Sequence, residues 1–458
     1  MFRPAITTRT TTSAKTLLYL ALATFLVPSV ASAATLTLGV NCTSMPTADE
    51  TFGVDANGVM QVADATVGPA WDAPTAGKPV FSRVNGLLPT GFNAGGINTG
   101  LASPSTVASI TVAMHGTILR QAINWAKAQN SQQVTGACPI HWKEIDNMYR
   151  SFVTRGVRPL WNIADAPNWA NRLCLSRTHS CGPDAAHVVD YVNFVRLIAH
   201  RYPLSAAVEV WNEPNLQKYW DHPDPSLYSD LLAATWNGLQ ADHSPMRVLG
   251  GALSCLGSEN GTADSIGLGP QWFLTVMRTK GVLGDPASGI AAAMHALSIH
   301  PYEMHPDGYD YFTETFRKVD EVLETRNIRL VVDELGAPVG PDYTLQSSCE
   351  TLARQYKLLD RQGNHVRRFE DVDAVLFHSD MNSHESTASN HDGYGFGEIE
   401  NIYDTPVKLP TSKVIDRIYY RRPVYREMAR AFGVPEAPNG DLCGDSLDAA
   451  EDAPHYFP

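Results

Sequence analysis

After residue 33 the chain has no apolar run long enough to cross a membrane. None of its cysteines stand in the Cys-x-x-Cys spacing that a structural zinc site uses. Basic residues are sparse and unclustered: 35 Lys and Arg stand against 48 Asp and Glu, a net charge of −13. Phosphate-rich partners need a basic surface, so this balance argues against nucleic acid as a ligand. No Gly-x-Gly-x-x-Gly follows the first strand-like run, so the dinucleotide fingerprint of a doubly wound sheet is missing. No internal repeat is visible. Only 18% of residues are charged while 44% are hydrophobic, which excludes a disordered composition and supplies a core.

What is present begins with residues 1–33, which read as a secretory signal peptide. Arg3, Arg9 and Lys15 supply positive charge, residues 17–30 are apolar, and Ala31-Ser32-Ala33 is a small-residue cleavage site. The expected mature chain starts near Ala34 and is secreted or periplasmic. Its charge is −16, because cleavage removes three basic residues and no acidic one. An oxidising compartment permits disulfides among the seven cysteines. Cys174 and Cys181 are close enough in sequence to staple a loop, and the odd count leaves at least one cysteine unpaired within the chain. Asn41 and Asn260 each open an Asn-x-Thr sequon.

Eight short apolar runs follow in order, at 36–41, 116–124, 157–163, 207–211, 247–254, 296–300, 328–334 and 374–378. Most are rich in β-branched residues, as strands buried on both faces should be. Helical spacing lies between them, as in Trp142, Ile145, Met148, Tyr149 and Phe152, or Val188, Val192, Val195 and Ala199. Alternation repeated eight times predicts a parallel sheet closed into a (β/α)8 barrel of the TIM type. The domain should span 34–432, with a Pro- and Asp-rich tail at 433–458. The long Gly- and Pro-rich stretch 42–115 is expected to hold a small hairpin or lid.

Two motifs end the fourth and seventh runs. One is Trp211-Asn212-Glu213-Pro214-Asn215; the other is Asp333-Glu334-Leu335-Gly336. Active sites of such barrels sit at the C-terminal ends of the strands, and strands four and seven lie across the barrel from each other. Two carboxylates placed there can flank a glycosidic bond. One would protonate the leaving oxygen and one would attack the anomeric carbon. Strand alternation predicts that only one of Asp333 and Glu334 enters the barrel. Glu209 suits a polar layer or salt bridge inside the barrel.

Together with His300-Pro301-Tyr302 on the sixth run, these motifs resemble clan A of the glycoside hydrolases, and family 39 within it. The resemblance covers about residues 36–432. It implies Glu213 as acid/base and Glu334 as nucleophile of a retaining enzyme. It also implies Asn212 on the sugar 2-hydroxyl, His300 and Tyr302 as the strand-six pair, and Arg120 as support for the nucleophile. The substrate implied is an oligo- or polysaccharide, with no metal and no organic cofactor. Two departures stand out. Leu376-Phe377-His378-Ser379 occupies the place where the clan often has a sugar-platform tryptophan, and no accessory β-sandwich follows the barrel. Trp220 is the candidate platform instead. The three histidines of 378–391 fit no standard metal spacing and suit a polar loop at the cleft. A carbohydrate-binding pseudoenzyme or adhesin on the same barrel is the alternative, and transglycosylation would use the same residues.

Overall fold

The computed structural model describes residues 53–55, 59–67, 80–81, 89–94, 103–113, 116–131, 140–171, 179–302, 311–323, 326–335 and 371–378. It also describes short strands at 381–383, 399–401, 407–408, 414–415 and 419–421. The expected signal peptide, Asn41, Cys174 and the 433–458 tail lie outside these residues. The chain divides into compact units 1–37 and 38–458, and every described residue belongs to the second.

Eight parallel strands close into a barrel. In chain order they are β3 (Thr90–Asn93), β4 (Ile118–Asn124), β5 (Arg158–Ala164), β6 (Ala207–Val210), β7 (Arg247–Ser254), β8 (Ala296–His300), β9 (Arg329–Leu335) and β10 (Val372–Phe377). Closure runs through β10 pairing with β3. A two-residue antiparallel pair, β1 (Gly53–Val54) and β2 (Met60–Gln61), precedes the barrel. The first strand is a correction: the expected run 36–41 lies outside the described residues, and Thr90-Gly91-Phe92-Asn93 fills the place before β4. That segment is short and only half apolar. Pairing with β10 and β4, rather than local pattern, makes it a strand.

Helices fill the connections for readable reasons. In α3 (Lys143–Val153) Ile145, Met148, Tyr149 and Phe152 are buried at helical spacing, with Glu144 and Asp146 in the first turn. α5 (Pro225–Ala241) starts where Asp224 accepts from Ser226 N and Leu227 N, with Pro225 opening the helix. The main core lies between strands and helices. Inside the barrel a second cluster gathers Ile118, Leu160, Ala207, Leu249, Ala296, Val331 and Ala374 with Val80 and Phe81. Val80 N donates to Asp373 Oδ2 at 2.5 Å and Arg247 Nε donates to Val80 O at 2.5 Å. Both partners lie within the first two residues of their strands, so this segment seals the N-terminal end. The C-terminal end is left for chemistry.

Candidate active site

Where β6 ends, a sharp turn sets Asn212 and Glu213 at the barrel mouth. Trp211 and Glu213 carry φ of 73° and 39°, a region that costs an L-residue about 1–3 kcal/mol. Anchoring offsets the cost. The Trp211 ring is fully buried, its indole N–H donates to Tyr219 O at 2.8 Å, and Asn162 Nδ2 donates to Trp211 O at 2.8 Å. Glu213 N donates to Ala252 O at 3.1 Å. Asn215 Nδ2 donates to Ser254 O and Leu268 O at 3.2 and 2.9 Å, which ties this loop to the one after β7.

β9 brings both of its acids inward. Val332 pairs with Val375 and Leu335 with Phe377, so Asp333 and Glu334 together face the single residue Leu376. This bulge breaks the period of two, and the expectation that only one acid enters the barrel is corrected. Asp333 Oδ2 lies 2.9 Å from Arg120 Nε, and Glu334 Oε1 lies 2.6 Å from Arg120 Nη1.

Arg120, on β4, is the hub. Its Nη2 donates to Asn212 Oδ1 at 2.7 Å, and its Nε donates to Glu209 Oε2 at 2.8 Å. Burial works against the guanidinium charge, but Glu209, Asp333 and Glu334 outweigh it and hold Arg120 firmly cationic. Asn212 is thereby fixed with its oxygen inward, the orientation this hydrogen bond selects for the amide. Glu209 takes a second donor, Asn162 Nδ2, at 2.8 Å. Burial pushes the Glu209 carboxyl up to about 8; Arg120 opposes the rise and Asp333 adds to it.

Among the described residues Glu334 accepts three side-chain hydrogen bonds of good geometry: Arg120 Nη1 at 2.6 Å, Asn93 Nδ2 at 2.8 Å and the Tyr302 hydroxyl at 2.8 Å. His378 Nδ1 and His300 Nδ1 stand 3.4 and 3.5 Å away. Burial disfavours its charge, yet His300, His378 and Arg120 hold the carboxyl well below the usual range. Burial likewise opposes the His300 charge, and Glu334 and Asp333 reverse that, so the imidazolium persists. Tyr302, buried beside Glu334, keeps its proton. Glu213 receives one side-chain hydrogen bond among the described residues, from His300 Nδ1 at 2.9 Å. Glu213 and Glu334 are 8% and 9% exposed, while Glu209, Asp333 and His300 are at 0%. The first two are therefore the carboxyls a ligand can reach.

The structure brings Arg120, Asn212, Glu213, His300, Tyr302 and Glu334 together. Trp220 is a correction. It is 3% exposed, packs on Trp211 at a centroid distance of 5.1 Å and meets Tyr228 edge-on. Gly182 lies so close to its ring that any side chain there would collide. With both faces covered, Trp220 has no surface for a sugar and serves as the wall behind the β6 loop. Sequence reading missed Asn93, because it misplaced the first strand. It placed His378 in a polar loop at the cleft and as a departure from the platform tryptophan, but not beside Glu334; the residue directly follows β10 with its Nδ1 3.4 Å from Glu334 Oε2. Glu213, His300 and Glu334 offer one ligand atom each within 4.8 Å of one another. A divalent ion could be spanned by that set, but His300 would first have to lose the proton its neighbours stabilise.

The same barrel occurs in family 39 glycoside hydrolases. One solved structure is such an enzyme from Bacteroides cellulosilyticus WH2, with TM-score 0.52 and 16% identity over 78% of this chain and 66% of that one. The chain thus spans about two-thirds of that relative's length. A family 39 enzyme from Xanthomonas axonopodis pv. citri gives 0.51 and 16% over 79% and 68%. A monomeric β-xylosidase from Caulobacter crescentus CB15 gives 0.50 and 16% over 78% and 69%. At these identities the likeness is one of fold. No protein-family profile and no curated protein sequence matches the chain.

Proposed function

We propose that the chain is a secreted glycoside hydrolase that cleaves an oligo- or polysaccharide by double displacement with retained configuration. The carrying observation is the unequal surroundings of two neighbouring carboxyls. Glu334 has three donors and adjacent positive charge, which suits a group that stays anionic and attacks carbon. Glu213 has a single donor, which suits a group that gives up and regains a proton. Environments that separate two acids in this way assign their roles. Their ligand atoms lie within 4.8 Å, in line with the roughly 5 Å carboxyl separation of retaining enzymes and short of the gap that inversion needs for water.

In the proposed reaction Glu334 attacks the anomeric carbon and forms a glycosyl-enzyme, while Glu213 protonates the departing oxygen. Glu213 then takes a proton from water, which displaces the sugar from Glu334. Arg120, Asn93 and Tyr302 hold the attacking carboxylate in place. Asn212, its oxygen tied to Arg120, turns its amide hydrogens outward toward a sugar hydroxyl. The chemistry draws on these side chains and on water.

The test separates the two glutamates. Glu213→Ala should lose turnover of glycosides with poor leaving groups but still react with activated aryl glycosides, whose departure needs little protonation. Azide should then speed release of the sugar. Glu334→Ala should be inactive on both substrate types. Binding without turnover by the unmodified chain across a panel of aryl glycosides and polysaccharides would instead favour a carbohydrate-binding protein.

A further inference from the structure

Behind the two reachable carboxyls lies a second acid pair that the proposed reaction does not use. Glu209 on β6 and Asp333 on β9 are both fully buried. Both crowd one N–H: Arg120 Nε lies 2.8 Å from Glu209 Oε2 and 2.9 Å from Asp333 Oδ2. One N–H cannot serve both, and two carboxylates can only accept, so a proton shared by the pair would supply the missing donor. Consistently, Glu209 Oε1 and both Asp333 oxygens lack a hydrogen-bond partner of good geometry among the described residues; Asp333 Oδ2 ion-pairs with Arg120 at 2.9 Å, and Oδ1 faces His300 Nε2 at 3.5 Å. Charge counting agrees. The groups facing Glu209 are Arg120 from β4, His300 from β8 and Asp333 from β9, with neutral Asn162 from β5 and protonated Tyr191 and Tyr228 behind them. Arg120 and His300 are the cations beside the inner pair, and both are shared with Glu334, so two full negative charges on Glu209 and Asp333 would be under-compensated.

We infer that Glu209 and Asp333 form a proton-sharing pair that positions Arg120 on Glu334. With one proton in the pair, its charge is a single negative, and Arg120 can reach Glu334 and Asn212 as well. Removing that proton adds a second negative charge beside Nε, which draws the guanidinium deeper and away from the nucleophile. Glu209 is therefore a positioning residue, acting through Arg120 and never touching substrate. The inference rests on the glycosidase reading for its effect on rate, but the shared proton itself stands apart from any activity.

Two measurements test it. Infrared difference spectra at neutral pH should contain the carbonyl stretch of a protonated carboxylic acid, which disappears in Glu209→Gln. The second uses kcat/KM on an activated aryl glycoside, where glycosylation needs little help from Glu213. The alkaline fall of this parameter should move up by about one pH unit or more in Glu209→Gln, because the amide donates to Asp333 at every pH. Glu209→Ala, which lacks the donor, should drop kcat/KM by about 10²-fold, and Gln should restore most of that loss. Absence of the acid band overturns the inference. So does an alkaline limb that Gln leaves in place, or an equal loss in Ala and Gln. If the unmodified chain hydrolyses no glycoside, the functional reading fails while the infrared band still decides the pair.

Discussion

Arg120 satisfies Glu209, Asp333, Glu334 and Asn212 at once because its guanidinium offers five N–H donors in a fixed fork. Lysine carries the same charge as a point and cannot hold four partners in that geometry. Arg120→Lys should therefore lower kcat on an aryl glycoside by about 10²-fold, the cost of a nucleophile misplaced by roughly 1 Å. Thermal melting should still report a folded chain; a variant with full kcat would remove Arg120 from the site. At this scale much was readable in the sequence. Glu213, Asn212, His300, Tyr302 and Glu334 sit in motifs whose letters carry their chemistry, and all meet at one mouth. Asn93 and His378 were not readable as partners of Glu334. A lone Asn or His at a strand end looks the same wherever it points, and only barrel closure sets these two beside Glu334. Trp220 was misjudged for the converse reason: an aromatic in a loop looks exposed until Trp211, Tyr228 and Gly182 are packed around it.

At the scale of elements, β7 and β8 were legible to the residue, since 247–254 and 296–300 are buried throughout and apolar apart from Arg247, Ser254, Ser298 and His300. Their junction also holds a pH-sensitive contact. Val248 N donates to His295 Nδ1 at 2.8 Å, and His295 N donates to Val248 O at 2.8 Å. Burial, with the Arg247 charge nearby, depresses the imidazole from 6.5 to about 4. The folded chain thus binds this proton more weakly than the unfolded chain. The contribution to stability is complete above pH 6.5 and is lost as pH falls through about 4. It amounts to at most about 3 kcal/mol, less whatever water at the half-buried ring screens. His295→Gln keeps an acceptor for Val248 N and cannot titrate, so denaturant melts of this variant should lose that part of the acid slope. An unchanged slope would mean that His295 carries no such linkage. β3 shows where pattern reading stops. Four residues that include a glycine give no periodicity to detect, and their role is fixed by partners far away in the chain.

For the whole molecule, the barrel follows from eight repeats of one local theme, which is why closure could be expected before any contact was known. The seal at Val80 and Phe81 could not, because nothing local marks those residues as a plug for strands that come later. Compartment is also a property of the whole chain. The leader-like residues 1–33 predict that N-terminal sequencing of the exported protein starts near Ala34. Recovery of extracellular protein that begins at Met1 would contradict the secreted assignment. A net charge of −13, which loss of residues 1–33 with their three basic residues would take to −16, suits neutral polysaccharide, since a polyanion would be repelled across the solvent.

The bulge in β9 makes the chemistry hostage to a count of residues rather than to their identity. Deleting one residue ahead of Glu334 would restore strict alternation, drop Glu334 into the deeper, fully buried place that Asp333 now fills opposite Leu376, and turn Asp333 out of the barrel. Yet Asp-Glu-Leu-Gly would still be spelled in the gene. Relatives compared by motif alone could then be grouped with working enzymes while their cleft holds sugar without cutting it. Insertions and deletions in this strand, more than substitutions, mark where such a lineage would have changed trade.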